Sequence, residues 1–158
     1  ARWLNEGGVS RIASHTAVRN ARDPMVLSHD GRYYLYYTGV DGGIGAIYAR
    51  YSEDLRLWSD ATVVSRGGSG GFGENDAECA HVHYMPDSGC FYLFRWHSAG
   101  QTNVYCSFNP LDFGVDHDDK KVAELPVEVA RIVTTGGQSF ISSLHSDYTG
   151  IKLSTMSW

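Results

Sequence analysis

A strand-rich internal repeat is the feature of this sequence that most limits its fold. Residues 30–36 (DGRYYLY) return as residues 88–94 (SGCFYLF) after 58 positions, and residues 52–58 (SEDLRLW) return as residues 107–113 (SFNPLDF) after 55 positions. A weaker third copy of the first segment occupies residues 136–142. The chain is therefore built from repeated units in which an aromatic strand lies between two turns.

Alternation of apolar and polar residues runs through each unit, and Gly, Asp or Asn clusters interrupt it, which predicts an all-β chain. A strand-only repeat of about 50 to 60 residues resembles the blade of a β-propeller, a sheet of four antiparallel strands. We predict about 2.5–3 such blades; only residues 118–128 could hold a short helix, and Pro126 argues against a long one. The predicted strands cover residues 9–14, 25–28, 33–38, 44–51, 61–65, 81–84, 90–96, 103–108, 127–133, 139–144 and 151–157.

This number of blades does not complete a propeller. At about 57 residues per unit the chain holds about 2.8 units, whereas propellers typically have about four to eight blades. We predict one partial domain over residues 1–158, with units at residues 21–66, 76–125 and 127–158. Soluble proteins normally cover open blade faces and strand edges. The alternatives are a fragment of a longer protein, a chain that self-associates, which we expect as a homodimer, and a compact non-propeller.

Charge and hydropathy exclude several classes of partner. The formal net charge is −5 and no basic run is longer than residues 120–121, so no nucleic-acid-binding surface is expected. No apolar run approaches the ~18 residues that cross a bilayer, and no signal peptide is evident, so we expect a soluble chain, cytoplasmic or secreted. Cys79, Cys90 and Cys106 form no CxxC or zinc-type spacing, which predicts three plain thiols, no metal and no cofactor.

Three short motifs contain the residues best suited to chemistry. Residues 20–24 read NARDP, residues 52–58 read SEDLRLW and residues 77–81 read AECAH. In this order they resemble the five-bladed propeller glycoside hydrolases of families 32, 43, 62, 68 and 117. The Arg-Asp-Pro and Glu-Cys pair is most similar to family 32, and the Asp-Gly-x-Tyr-Tyr-Leu strand to family 43. The resemblance is good over residues 20–113 and looser beyond them.

The resemblance implies a pair of catalytic carboxyl groups. Glu78 would be the general acid, and Asp23 would either stabilise the oxocarbenium-like transition state or act as the base, as glycoside hydrolysis requires. The upstream nucleophile motif of family 32 is missing from this sequence, and Ala80 replaces the Pro after Glu-Cys. If Asp23 stabilises the transition state, a third carboxylate must come from elsewhere. If Asp23 is the base, the two residues suffice for an inverting mechanism.

Polar and aromatic residues near these motifs are predicted to bind substrate. Arg22 can orient Asp23 or bind a hydroxyl, with pairing to a surface acid as the alternative. His81 and His83 are two residues apart and point the same way on a strand, and we expect them to line a channel because no third metal ligand is evident. Tryptophan can stack on a sugar, although it is often a core residue. The predicted substrate-binding residues are Asn20, Arg22, His81, His83, Arg95 and Trp96.

Two further features concern the scaffold. The glycine run at residues 67–73 has no following helix and no Lys-Ser/Thr, so a flexible loop at the rim of a cleft is expected rather than a phosphate cradle. Trp58 and Phe113 occupy matching repeat positions and are predicted to anchor blade packing.

These observations favour a glycoside hydrolase-like domain that acts on or binds a carbohydrate of the fructoside, arabinoside or xyloside class. The second hypothesis is a non-catalytic carbohydrate-binding or structural half-propeller that self-associates, and the third is an interaction domain without affinity for sugars. The separation of the Asp23 and Glu78 carboxyl groups discriminates between mechanisms, because about 6.5 to 9.5 Å suits an inverting pair and about 5 to 5.5 Å a retaining pair.

Overall fold

A computed structural model describes residues 19–145 and 147–158, with the side chains of all of these except Arg19 and Asn20. The strand predicted at residues 9–14 lies outside the described residues. Within these residues, eleven strands, β1 to β11, form three antiparallel sheets in which consecutive strands are neighbours. The first sheet contains Arg19–His29, Arg32–Asp41, Ile44–Ser52 and Thr62–Arg66; the second contains Glu78–Met85, Cys90–His97, Gln101–Ser107 and Lys121–Leu125; the third contains Glu128–Thr135, Gln138–Leu144 and Ile151–Met156.

The all-β, blade-type fold predicted from the repeat is confirmed. Strand order in the sheets is β1-β2-β3-β4, β5-β6-β7-β8 and β11-β10-β9, so the first strand of each sheet lies at one edge. These first strands also meet across sheets, β1 against β5 and β5 against β9. They therefore form a common inner rim. Within the described residues, no helix is long and apolar enough to span a membrane.

Aromatic and aliphatic side chains fill the two interfaces between the sheets. Between the first and second sheets, Tyr36, Leu93 and Phe113 belong to one buried cluster, so Phe113 anchors the blades as predicted. Trp58 packs against a different cluster, on the opposite face of the first sheet. Between the second and third sheets, Phe94 packs with Ile132. Each interface removes apolar surface from water, which stabilises the stacking of the sheets.

The short helix that residues 118–128 could hold does not form, because residues 121–125 form strand β8. Leu125, Glu124 and Ala123 pair with Thr102, Asn103 and Val104 of β7. The segment is rich in helix-forming residue types, but pairing with the open edge of the second sheet overrides that local preference.

Two of the three cysteines form a disulfide, so the prediction of three plain thiols is wrong. Cys90 begins β6 and Cys106 lies near the end of β7, and the hairpin between them brings their Cα atoms to 6.1 Å. Cys79 is free. Spacing alone did not indicate the bond because the hairpin, not a motif, makes the two residues neighbours.

The glycine run is tightly packed, contrary to the expectation of a loose rim. Residues 68–70 form a single 3-10 turn, and a Cβ atom on Gly70 would lie 2.6 Å from the guanidinium of Arg95. Gly68 has φ 66°, and a Cβ there would lie 2.3 Å from Asp118, whose carboxylate accepts a hydrogen bond from the Ser69 N–H at 2.7 Å. The glycines are needed because the side chains of Arg95, on β6, and Asp118, in the loop before β8, approach the backbone closely.

Candidate functional site

A β-bulge interrupts each of the first two inner strands at the residues singled out by the sequence motifs. The pairing of β1 with β2 skips from Arg22 to Met25, and the pairing of β5 with β6 skips from Glu78 to His81. In both strands the first residue of the bulge has a left-handed backbone, with φ 53° at Asp23 and φ 54° at Cys79. Bulges of this kind redirect side chains and are frequent beside functional sites.

The third inner strand repeats the same bulge. The pairing of β9 with β10 skips between Glu128 and Arg131, and Val129 has φ 52°. Arg22–Asp23, Glu78–Cys79 and Glu128–Val129 are therefore equivalent positions. For a β-branched residue such as Val129 this conformation is a genuine outlier, so the bulge belongs to the repeated backbone and does not depend on its side chain.

The first two bulges bring the predicted catalytic residues together. An Nη2 of Arg22 donates to Oε1 of Glu78, and the Arg22 Nε lies 3.7 Å from Oδ2 of Asp23. One ligand atom each of Asp23, Glu78 and Cys79 lie within 4.8 Å of one another. The side chains of Arg22, Asp23 and Glu78 are 24%, 29% and 14% exposed. The site is thus partly buried, open to solvent, and assembled from two different sheets.

Backbone and hydroxyl groups hold these bulges in place. The buried Thr38 hydroxyl donates to Oδ2 of Asp23 at 3.1 Å and accepts the Cys79 N–H at 3.0 Å. Arg131 of the third sheet donates to the carbonyl oxygen of Cys79. Burial, together with the neighbouring Asp23 carboxylate, raises the pKa of the Cys79 thiol to about 11. The thiol is therefore protonated at neutral pH and is not a ready nucleophile.

The Asp23, Glu78 and Cys79 atoms are close enough to share a metal ion, but their surroundings do not favour one. The Arg22 guanidinium already neutralises Glu78, and a thiol with a raised pKa must lose its proton before it can bind a metal. We assign no metal to this site.

The two predicted histidines lie together between the second and third sheets. The ring of His81 lies 6.2 Å from that of Phe94, and the ring of His83 stacks on Trp158 at 5.2 Å. Burial, with smaller contributions from Arg131 and His83, lowers the pKa of His81 to about 4. Burial also lowers the pKa of His83. Both rings are therefore neutral at pH 7.

We expect the free energy of unfolding to fall between pH 6.5 and pH 4 partly because of His81. In the unfolded chain its pKa is 6.5, so in this range the unfolded state binds more protons than the folded state, whose His81 pKa is about 4. The neutral ring stabilises fully above pH 6.5, and up to about 3 kcal/mol is lost by pH 4. Urea unfolding of His81→Gln should show a flatter pH profile than the parent chain. His145→Gln, at an exposed position, serves as the control; equal slopes for all three proteins would contradict the expectation.

The remaining predicted substrate-binding residues differ in position. Trp96 is paired with Glu78 across β5 and β6, and its indole Nε1 is buried with no hydrogen-bond partner among the described residues. Arg95 points away from the carboxylates, with 0% exposure, and donates to the Ser65 hydroxyl at 2.8 Å and the Gly67 carbonyl at 2.7 Å. In this position the Arg95 side chain serves the packing of the first two sheets, and its assignment to substrate binding stays a prediction. The side chain of Asn20 lies outside the described residues.

Sequence reasoning missed four residues at or beside the inner rim: Thr38, Cys79, Glu128 and Arg131. A usable signal was present for Glu128. Residues 22–24 (RDP), 78–80 (ECA) and 128–130 (EVA) recur after 56 and 50 positions, and this alignment predicts equivalent positions. Thr38 and Arg131 have no such signal, because their contacts depend on how the sheets stack.

Comparison with known proteins supports the fold. No family model matches the sequence, and no curated protein matches it. Among solved structures, an exo-β-1,3-galactanase from Phanerochaete chrysosporium with galactose superposes with a TM-score of 0.67 at 14% identity. A GH62 α-L-arabinofuranosidase catalytic domain from Coprinopsis cinerea gives 0.61 at 13%, and a GH32 β-fructofuranosidase from Bombyx mori gives 0.56 at 14%.

The matches cover most of this chain but a minor part of the other proteins. They span 88%, 88% and 78% of this chain, against 36%, 46% and 29% of the galactanase, the arabinofuranosidase and the fructofuranosidase. The chain thus has part of the five-bladed propeller fold found in glycoside hydrolases, as the motifs predicted. At these identities the likeness defines the fold alone.

Proposed function

We propose that the bulges of β1 and β5 form a carbohydrate site of the glycoside hydrolase type. The observation that carries the proposal is the meeting of Asp23 and Glu78, which lie 55 residues apart on different sheets and whose nearest oxygens are within 4.8 Å. Most enzymes that cleave a glycosidic bond use a pair of carboxyl groups, and this partly buried rim contains such a pair.

In this proposal Glu78 donates a proton to the glycosidic oxygen. Because Arg22 is ion-paired with Glu78, substrate must first separate the two side chains. Arg22 has a second partner within reach, since its Nε lies 3.7 Å from Asp23. A movement of the guanidinium toward Asp23 or toward a sugar hydroxyl leaves Glu78 able to carry the proton.

Asp23 is proposed to stabilise positive charge on the sugar ring in the transition state. The nearest oxygens of Asp23 and Glu78 lie closer together than the about 6.5 to 9.5 Å that an inverting pair needs to admit a water molecule, and also closer than the about 5 to 5.5 Å of a retaining pair. The remaining nucleophile or base would then come from outside the described residues. This assignment agrees with a chain that spans 36% of the galactanase.

A panel of fructosides, arabinofuranosides, xylosides and galactosides tests the proposal, with turnover and binding measured separately. Hydrolysis of any member supports a glycosidase site. Binding without turnover supports the second candidate, a non-catalytic carbohydrate-binding module, which the neutralisation of Glu78 by Arg22 favours. The absence of both binding and turnover contradicts both candidates.

We further propose that the chain self-associates through the third sheet. One face of this sheet packs on the second sheet through Ile132 and Ile141. The other face carries Val133, Leu144, Ile151 and Leu153, and the last two are 77% and 64% exposed. An apolar sheet face of this kind normally marks an interaction surface.

Sedimentation should therefore give a mass above 17.4 kDa, and Leu153→Lys should shift the equilibrium toward monomer because it places a charge on the apolar face. Lys152→Gln, on the same strand with its side chain on the other face, is the matched control. A monomer at all concentrations, with no effect of Leu153→Lys, would rule out this interface.

A further inference from the structure

We infer that Thr38 is a positioning residue that sets the separation of Asp23 and Glu78, an inference that rests on the proposed function. Thr38 lies on β2 directly opposite Arg22, and its side chain is fully buried. Its hydroxyl donates to Oδ2 of Asp23 at 3.1 Å and accepts the backbone N–H of Cys79, the residue after Glu78, at 3.0 Å.

One hydroxyl thus connects the two bulges that carry the carboxylates. A threonine hydroxyl has one proton to donate and lone pairs to accept, and both capacities are used, one on each side of the interface between the first two sheets. The carboxylate of Asp23 and the peptide between Glu78 and Cys79 are therefore held to a common atom. Arg131 holds the carbonyl of Cys79 from the third sheet, so this backbone is restrained from two sides.

The other two sheets show that the fold does not require a hydroxyl here. The residue opposite Glu78 is Trp96, and the residue opposite Glu128 is Leu144. Both are large side chains without a hydroxyl at the position equivalent to Thr38, and the bulge forms in each of those sheets. The hydroxyl is present where the two carboxylates meet, which is what a positioning role requires.

Thr38→Val and Thr38→Ser provide a matched pair of variants, because valine keeps the shape and serine keeps the hydroxyl. In crystal structures we expect Thr38→Val to lengthen the separation of the nearest Asp23 and Glu78 oxygens, which lie within 4.8 Å of each other in the parent, and Thr38→Ser to keep the parent separation. By NMR, the Cys79 amide should lose hydrogen-exchange protection in Thr38→Val and keep it in Thr38→Ser. Unchanged oxygen separation and unchanged protection in Thr38→Val would overturn the inference.

Kinetics on an unactivated glycoside give the functional readout. We expect kcat to fall about 10²-fold in Thr38→Val, the cost of misplacing a reacting group by about 1 Å, with KM little changed and with recovery in Thr38→Ser. If Thr38→Val acted only by reducing the amount of folded protein, the recovery in Thr38→Ser would not be specific to kcat. If the parent chain hydrolyses nothing, the proposed function fails, whereas the carboxylate separation and the Cys79 amide still decide the role of Thr38.

Discussion

Replacing Glu78 with glutamine is expected to lower hydrolysis of an unactivated glycoside by about 10²- to 10⁴-fold, the usual contribution of a general acid. Glutamine keeps the size of the side chain and can still accept from Arg22, but it has no acidic proton for the leaving oxygen. Carbohydrate binding should persist, because the neighbouring Arg22 and Asp23 are unchanged. The measurement is kcat/KM for the parent and variant on the substrate identified from the glycoside panel.

The leaving group provides an internal control for this result. The dinitrophenolate of a dinitrophenyl glycoside leaves without being protonated. The variant should therefore retain much more of its activity on that substrate than on the unactivated one. Glu74→Gln, which changes an exposed acid in the loop before β5, should behave like the parent on both. Wild-type hydrolysis of the unactivated substrate by Glu78→Gln would remove Glu78 from the mechanism.

Replacing Arg95 with methionine is expected to destabilise the chain by about 3 to 5 kcal/mol. The guanidinium is buried, and its hydrogen bonds to Ser65 and the Gly67 carbonyl both end on the first sheet or the loop that follows it. It also lies 4.7 Å from the centre of the Tyr105 ring. Methionine fills part of the volume but leaves the Gly67 carbonyl buried without its donor, and such a loss is costly.

Urea unfolding of Arg95→Met against Arg56→Met measures this effect. Arg56 is exposed, so its replacement should change the free energy of unfolding by less than about 0.5 kcal/mol. A fully stable Arg95→Met that binds carbohydrate more weakly would instead support the prediction that Arg95 binds substrate.

The parts of the fold that follow from local pattern were predictable. Segments such as residues 30–36 and 88–94 contain turn residues followed by a strand pattern, and their repetition implies equivalent sheets. Strand β8 and the Cys90–Cys106 bond were missed because both depend on which strand lies alongside, a property that a short segment does not encode.

The motifs indicated the carboxylates of the candidate site, Asp23 and Glu78. They did not indicate the residues that hold these carboxylates in place. Arg95 and Trp96 are adjacent on β6, and adjacent strand residues point to opposite faces, so both could not line one site. That argument was available from the sequence. The roles of Thr38 and Arg131 were not, because each acts across an interface between sheets.

The equivalence of the three bulges has a consequence for engineering this chain. The backbone adopts the same left-handed conformation at Asp23, Cys79 and Val129. Each sheet therefore has one inner-rim position whose backbone geometry does not depend on the side chain it carries. Asparagine and aspartate tolerate this conformation better than valine. Position 129 is therefore the natural place to graft an additional polar group onto the rim, where the substitution relieves backbone strain rather than creating it.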